Sequence, residues 1–219
     1  MNRNPEARVP VFDIVNAGPR HRFCTANLVA HNCLGLGFGC GWRKFIDVAK
    51  VMAGLELSET ESERIVLEFR ESNPKIVELW NRLQDACASC DGRTYRLPLP
   101  CAQHDRTINR FLIYRDVSTG RRDIICTIAG ELVQVYGGLL AENWTQATAR
   151  DVLASAWLRC SSAGFTPVLS VHDELVFELP TETAEADLQR IVAIMETPLP
   201  WASHLPLKAD GKLMDFYAK

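Results

Sequence analysis

Thr166-Pro167-Val168-Leu169-Ser170-Val171-His172-Asp173-Glu174-Leu175-Val176-Phe177-Glu178-Leu179 is the stretch from which the C-terminal half of this chain is read. Two apolar runs flank His172-Asp173, which predicts a β-hairpin presenting one carboxylate at its tip. The ordinary reading of that Asp is a turn residue, because its short side chain bonds nearby backbone. Before the hairpin, a long helical pattern over about 139–163 stops at Gly164, a typical helix-ending residue. After it, Ala184, Leu188, Ile191, Val192 and Met195 mark an amphipathic helix, and Leu207 to Tyr217 a short final strand or turn.

Further toward the N-terminus, helices are expected over about 42–53, from the Ser58-x-x-Glu61 capping box, and from Asn73-Pro74 to before Gly92. Residues 93–127 read as strands and turns. Cys87 and Cys90 have CxxC spacing, but no second pair of Cys or His accompanies them. Ile76, Leu79, Trp80, Leu83 and Cys87 follow helical spacing, so a helix-borne structural pair is expected rather than zinc or redox chemistry. Leu34-Gly35-Leu36-Gly37-Phe38-Gly39-Cys40-Gly41 repeats glycine at every second position, which is not the GxGxxG of a dinucleotide fold.

Composition is that of a globular protein, 47% hydrophobic and 23% charged. No apolar run reaches membrane-spanning length and no signal-peptide core opens the chain, so a cytoplasmic protein without a membrane partner is expected. Eight Cys in 219 residues are too sparse for a secreted disulfide scaffold. Removing the four basic and two acidic residues before Cys33 from the chain's 24 and 27 leaves 20 against 25. Such a segment does not grip nucleic acid by bulk charge and needs a local basic face or a larger partner.

The first 32 residues read differently. Val9–Val15 and His21–Thr25 are strand patterns, and Leu28-Val29-Ala30 is a third that leads into His31-Asn32-Cys33. That tripeptide can cut its own backbone. The Asn32 amide can attack its main-chain carbonyl and close a succinimide, His31 can donate a proton as the bond breaks, and the Cys33 thiol can carry an acyl group. A bland reading would leave a β-rich extension with His21 on its surface.

Val11-Phe12-Asp13-Ile14, His21-Arg22-Phe23 and Leu28-Val29-Ala30-His31-Asn32-Cys33 resemble, in order and spacing, the C-terminal segment of an intein. The resemblance covers about residues 9–33. It implies that Asp13 and His21 assist acyl transfer and cyclisation, that His31 and Asn32 release the segment, and that Cys33 is the first residue of the host protein. No N-terminal intein half is present, so the implied device is the C-terminal partner of a split intein.

The remainder, residues 33–219, resembles the family A DNA polymerases, in particular their phage members. Val171-His172-Asp173-Glu174 is similar to the palm hairpin. Glu142-Asn143-Trp144-Thr145-Gln146-Ala147-Thr148-Ala149-Arg150-Asp151 is similar to the preceding palm helix, and Leu34–Gly39 to the end of the fingers helix. The implied fold is α+β, the C-terminal fingers and palm part of a right-hand polymerase preceded by a short β-rich, Hint-type intein segment. The implied chemistry is nucleotidyl transfer with two Mg²⁺ ions, of which Asp173 would bind one side. His172 would contact the primer-terminal backbone and Glu174 would tune the metal site. Gln146 and Asn143 would face the minor groove of the template–primer, although Asn143 lies one position nearer Gln146 than its usual counterpart. Phe38 and Gly39 would sit at the nascent pair, with Phe38 where many relatives have Tyr. Leu34 holds a position that is often aromatic, which implies altered sugar discrimination.

The other palm carboxylate and the triphosphate-binding Lys and Arg of that family are missing. An N-terminal polymerase fragment carrying the N-intein is therefore the implied partner, together with template–primer DNA and dNTPs. Two rival readings are a remnant of an interrupted gene that never meets its partner, and a nucleic-acid-binding module without catalysis.

Overall fold

The computed structural model describes residues 7–15, 23–25, 28–30, 35–120 and 123–217. In chain order these form β1 (Ala7–Val15), β2 (Phe23–Thr25), β3 (Leu28–Ala30), a 3-10 turn at Leu36–Phe38, α1 (Trp42–Ala53), α2 (Glu59–Ser72) and α3 (Pro74–Ala88). Next come β4 (Tyr95–Pro98), α4 (Pro100–His104), β5 (Phe111–Thr119), β6 (Ile124–Ile128), β7 (Glu131–Val135) and α5 (Gly137–Ser162). The chain ends with β8 (Leu169–Val171), β9 (Glu174–Val176), β10 (Leu179–Pro180), α6 (Ala184–Met195), a 3-10 turn at Pro200–Ala202 and β11 (Lys208–Met214). This mixture of helices and antiparallel sheets agrees with the α+β expectation. Among the described residues no helix is long and apolar enough to cross a membrane.

The chain clusters into two compact units that do not follow the Asn32–Cys33 junction. One comprises residues 1–19, 103–108 and 148–219, and the other residues 20–102 and 109–147.

In the second unit, three helices and the antiparallel sheet β4-β5-β6-β7 share one core. The local signals are those expected from the sequence. Glu61 N–H donates to Ser58 Oγ, and the Glu61 carboxylate accepts from the Ser58 N–H at 3.0 Å, closing the capping box over the first turn of α2. Pro74 opens α3, where its missing N–H leaves no helical bond unmade. Phe45, Ile65, Val66, Phe69, Trp80 and Leu83 meet Tyr95, Leu97, Tyr114 and Val117 of the sheet in the interior. Ser62, buried among them, satisfies its hydroxyl by donating to the Trp42 carbonyl at 2.7 Å.

Cys87 lies on the last turn of α3 and Cys90 just beyond the helix. The sulfur that faces Cys87 is Cys126 of β6, 4.0 Å away. The expected helix-borne pair is therefore replaced by a helix-to-sheet contact between buried thiols. Leu36–Phe38 form a 3-10 turn closed by Gly39 at φ 78, and residues 31–34 before it lie outside the described ones.

In the first unit, a five-stranded antiparallel sheet runs β10-β1-β9-β8, with β11 also paired to β1. Leu175 and Phe177 point into a core with Leu188, Ile191 and Met195 of α6 and Leu153, Ala156 and Cys160 of α5. Helix α5 contributes residues to both units, with the division at 147/148.

Candidate nucleotide and DNA site

Val171 pairs with Glu174, which leaves His172-Asp173 as a two-residue hairpin loop. Two-residue hairpins need a backbone that matches strand twist, and such turns place residues at positive φ. His172 takes that conformation at φ 52. For a residue with a side chain it is uncommon, though His adopts it more readily than most, and such positions gather where a functional group must be aimed. Both His172 and Asp173 are exposed at the tip. The next residues anchor the hairpin: Leu175, Val176 and Phe177 are each at most 1% exposed.

Glu174 is half-buried, and its Oε2 accepts a hydrogen bond from the Tyr217 hydroxyl at 3.1 Å. Desolvation and then the Glu174 carboxylate push the Tyr217 phenol up. Tyr217 was not foreseen, since 43 residues separate it from Glu174. Among the described residues no three His, Cys, Asp or Glu side chains gather to hold a metal ion.

The other unit carries Phe38, Gly39, Asn143 and Gln146. Phe38 is half-buried on the 3-10 turn, whose carbonyl at Gly37 accepts from Trp80 Nε1 at 3.1 Å. Gly138, at the start of α5, lies so close that a Cβ built there would collide with the Phe38 carbonyl, and one on Gly137 would collide with the Trp80 carbonyl. A Gly-Gly pair opening a helix is poor for helix formation and so carries a packing signal, which the sequence reading passed over.

Asn143 and Gln146 line one cleft of about 420 Å³ with Leu112, Ile113, Tyr114, Ile128 and Ala147. Asn143 Nδ2 donates to the Tyr114 hydroxyl at 3.2 Å, and Gln146 Nε2 to Glu142 Oε1 at 3.3 Å. Tyr114 is 2% exposed, stacks on Tyr95 with centroids 5.9 Å apart, and has its phenol pushed up by burial. Its hydroxyl, at the cleft wall, holds the Asn143 amide, a role with no sequence signal across 29 residues. Leu34, His21, His31, Asn32 and Cys33 lie outside the described residues, and for Asp13 only the backbone, in β1, is described.

No family model matches the chain. Two phage proteins do. A DNA polymerase of Bacillus phage SP02 is 32% identical over 236 residues, covering 97% of this chain and 35% of that protein. The chain is homologous to a phage DNA polymerase over nearly its whole length. A DNA polymerase of Mycobacterium phage D29 is 44% identical over 52 residues, covering 23% of this chain and 9% of that protein. The chain thus spans about a third of the SP02 polymerase's length. Residues 33–219 alone fall short of a 97% share, so the SP02 alignment also reaches into the N-terminal 32 residues.

Proposed function

We propose that residues 33–219 are the C-terminal fingers and palm part of a phage-type family A DNA polymerase. They are carried in a precursor whose first 32 residues are a C-terminal split-intein segment, and they are joined by trans-splicing to an N-terminal polypeptide bearing the N-intein. The observation that carries the polymerase reading is the His172-Asp173 hairpin: an exposed carboxylate on a strained two-residue tip, rooted in a buried strand, in a chain homologous to phage DNA polymerases. The splicing half rests on the order and spacing of Asp13, His21, His31, Asn32 and Cys33.

Asp173 offers the hard oxygen donor that Mg²⁺ prefers, with Glu174 next to it on β9. One exposed carboxylate is fewer than a two-metal centre requires, so this chain fits one side of such a site and the partner fragment would complete it. When bound, the ions would lower the pKa of the primer 3′-hydroxyl and neutralise charge on the triphosphate. The chain's own residues bind and orient. His172 would touch the primer-terminal backbone, and Glu174, whose carboxylate accepts from the Tyr217 hydroxyl, would tune the metal site. Phe38 and Gly39 would pack against the nascent base pair. Asn143, braced by Tyr114, and Gln146 would read acceptors common to all base pairs in the minor groove. The enzyme would act in the cytoplasm of a phage-infected bacterium.

Primer extension tests this directly. The purified chain alone should incorporate no nucleotide, while a mixture with the N-terminal polypeptide should yield both a ligated product and Mg²⁺-dependent extension. Asp173→Asn should abolish extension and leave ligation intact. Extension by the unpartnered chain would overturn the two-piece reading, and full extension by Asp173→Asn would overturn the site.

A further inference from the structure

Three of the chain's four tyrosines are committed to its interior or to a side-chain partner. Tyr95 and Tyr114 are buried in the sheet core, and Tyr217 donates to Glu174. Tyr136 differs. It follows β7, precedes the Gly137-Gly138 opening of α5, and is 42% exposed. Its ring is not among the side chains packed on the core of its unit, and its hydroxyl has no hydrogen-bond partner among the described residues.

What the ring touches is backbone. A Cβ built on Gly39 would stand 3.5 Å from Tyr136 Cε2, and one on Gly138 would stand 2.8 Å from the same atom. The ring therefore lies over two glycines, and a side chain at 138 would displace it. Gly39 is held at φ 78, a conformation open to glycine and uncommon for other residues. Both backbone segments are pinned to α3. The Gly37 carbonyl accepts from Trp80 Nε1, and the Gly137 N–H donates to Gln84 Oε1 at 3.0 Å. Tyr136 itself is flanked by buried Val135 and Gly137, and its carbonyl accepts the Leu140 N–H at 3.0 Å. Two glycines in the first turn weaken a helix, so their presence here marks a close approach: Gly138 makes room both for the Phe38 carbonyl and for this ring. An aromatic ring laid on fixed backbone and open to solvent is a ready stacking surface, and every nucleobase has a flat π face to offer it.

We propose that the Tyr136 ring, seated on Gly39 and Gly138, stacks on a nucleobase bound at the Phe38-Gly39 turn. The proposal rests on the reading that this turn meets the nascent base pair, and it adds a base-contacting residue that lies about 100 positions away in sequence. Two sources supply such a base, the template strand and the incoming nucleotide.

Two photoprobes separate them. One is a primer–template with 5-iodouracil at the first unpaired template position. The other is 5-iodo-dUTP added with a primer–template whose next template base is adenine. Irradiation joins C5 of the base to an adjoining aromatic ring with loss of HI, and peptide mass spectrometry locates the bond. The 219-residue chain, and its ligated product where ligation succeeds, should be labelled at Tyr136 by one of the probes. Labelling confined to other residues, or none, would overturn the proposal. Tyr136→Ala removes no core packing and should fold. It should lose the crosslink and weaken binding of the labelling probe by about 5- to 150-fold in equilibrium dialysis. Tyr136→Phe keeps the ring and should bind like the parent. Parent-like binding by Tyr136→Ala would overturn the proposal equally. Neither measurement needs primer extension. Labelling at Tyr136 in a protein that never extends primers refutes the polymerase reading alone, and extension without that labelling refutes this proposal alone.

Discussion

Replacing Gly138 with alanine sets two known effects against each other. In an unobstructed helix the change is favourable by about 1 kcal/mol, because Ala loses less backbone entropy than Gly. Here the new Cβ would collide with the Phe38 backbone carbonyl, and real Cβ atoms essentially never come within 3.0 Å of such an atom. The turn and helix must therefore separate by about 1 Å, and a backbone carbonyl cannot swing aside as a flexible side chain could. Overpacking of that kind costs about 1–3 kcal/mol. The shift also strains the Trp80 Nε1–Gly37 hydrogen bond, worth about 1 kcal/mol. The net expectation is a loss of about 1–3 kcal/mol. Urea unfolding followed by tryptophan fluorescence measures it, and the emission of Trp80 should shift as its indole loses the Gly37 carbonyl. A Gly138→Ala chain more stable than the parent would mean that helix propensity prevails and that the close approach of the Phe38 turn to α5 does not exist.

Other consequences are equally direct. Ile191 is fully buried against Leu175 and Phe177, so Ile191→Ala should cost about 2–5 kcal/mol by calorimetry, with Ile191→Val far milder. Burial, reinforced by Cys126, pushes the Cys87 thiol up to about 12, and burial does the same to the Tyr95 phenol. Folded values above the unfolded ones mean a contribution intact below about pH 9 and lost as pH rises toward 12, so the melting temperature should fall progressively in alkali, less steeply in Cys87→Ala. A melting temperature flat from neutrality to about pH 11 would contradict the buried assignment of both groups. At the junction, Asn32→Ala should stop release and let a branched thioester accumulate, while Cys33→Ala should block ligation. His31→Ala should slow release by roughly 10²–10⁴. Intact-mass spectrometry reads all three, and unchanged ligation in both Asn32→Ala and Cys33→Ala would leave residues 1–32 as a mere tail.

What the sequence determined by itself was local. The capping box of Ser58 and Glu61, Pro74 at the start of α3, the span of α5 and the His172-Asp173 hairpin all depend on residues within a few positions of one another, where periodicity and turn chemistry decide. Asn143 and Gln146 are singled out by the resemblance of residues 142–151 to a polymerase palm helix, and no period in the sequence marks them. What holds them lay out of reach. Tyr114 is 29 residues from Asn143, Cys126 is 39 from Cys87, and Gln84, which accepts from the Gly137 N–H, is 53 away. Such pairs leave no period in the sequence, since loop closure can bring any two distant segments together and only the packed core selects among them. The same holds for β1. Its run of β-branched and aromatic residues declares a strand, but a strand's hydrogen bonds all lie outside it, so its partners β9, β10 and β11 were chosen by the folded sheet.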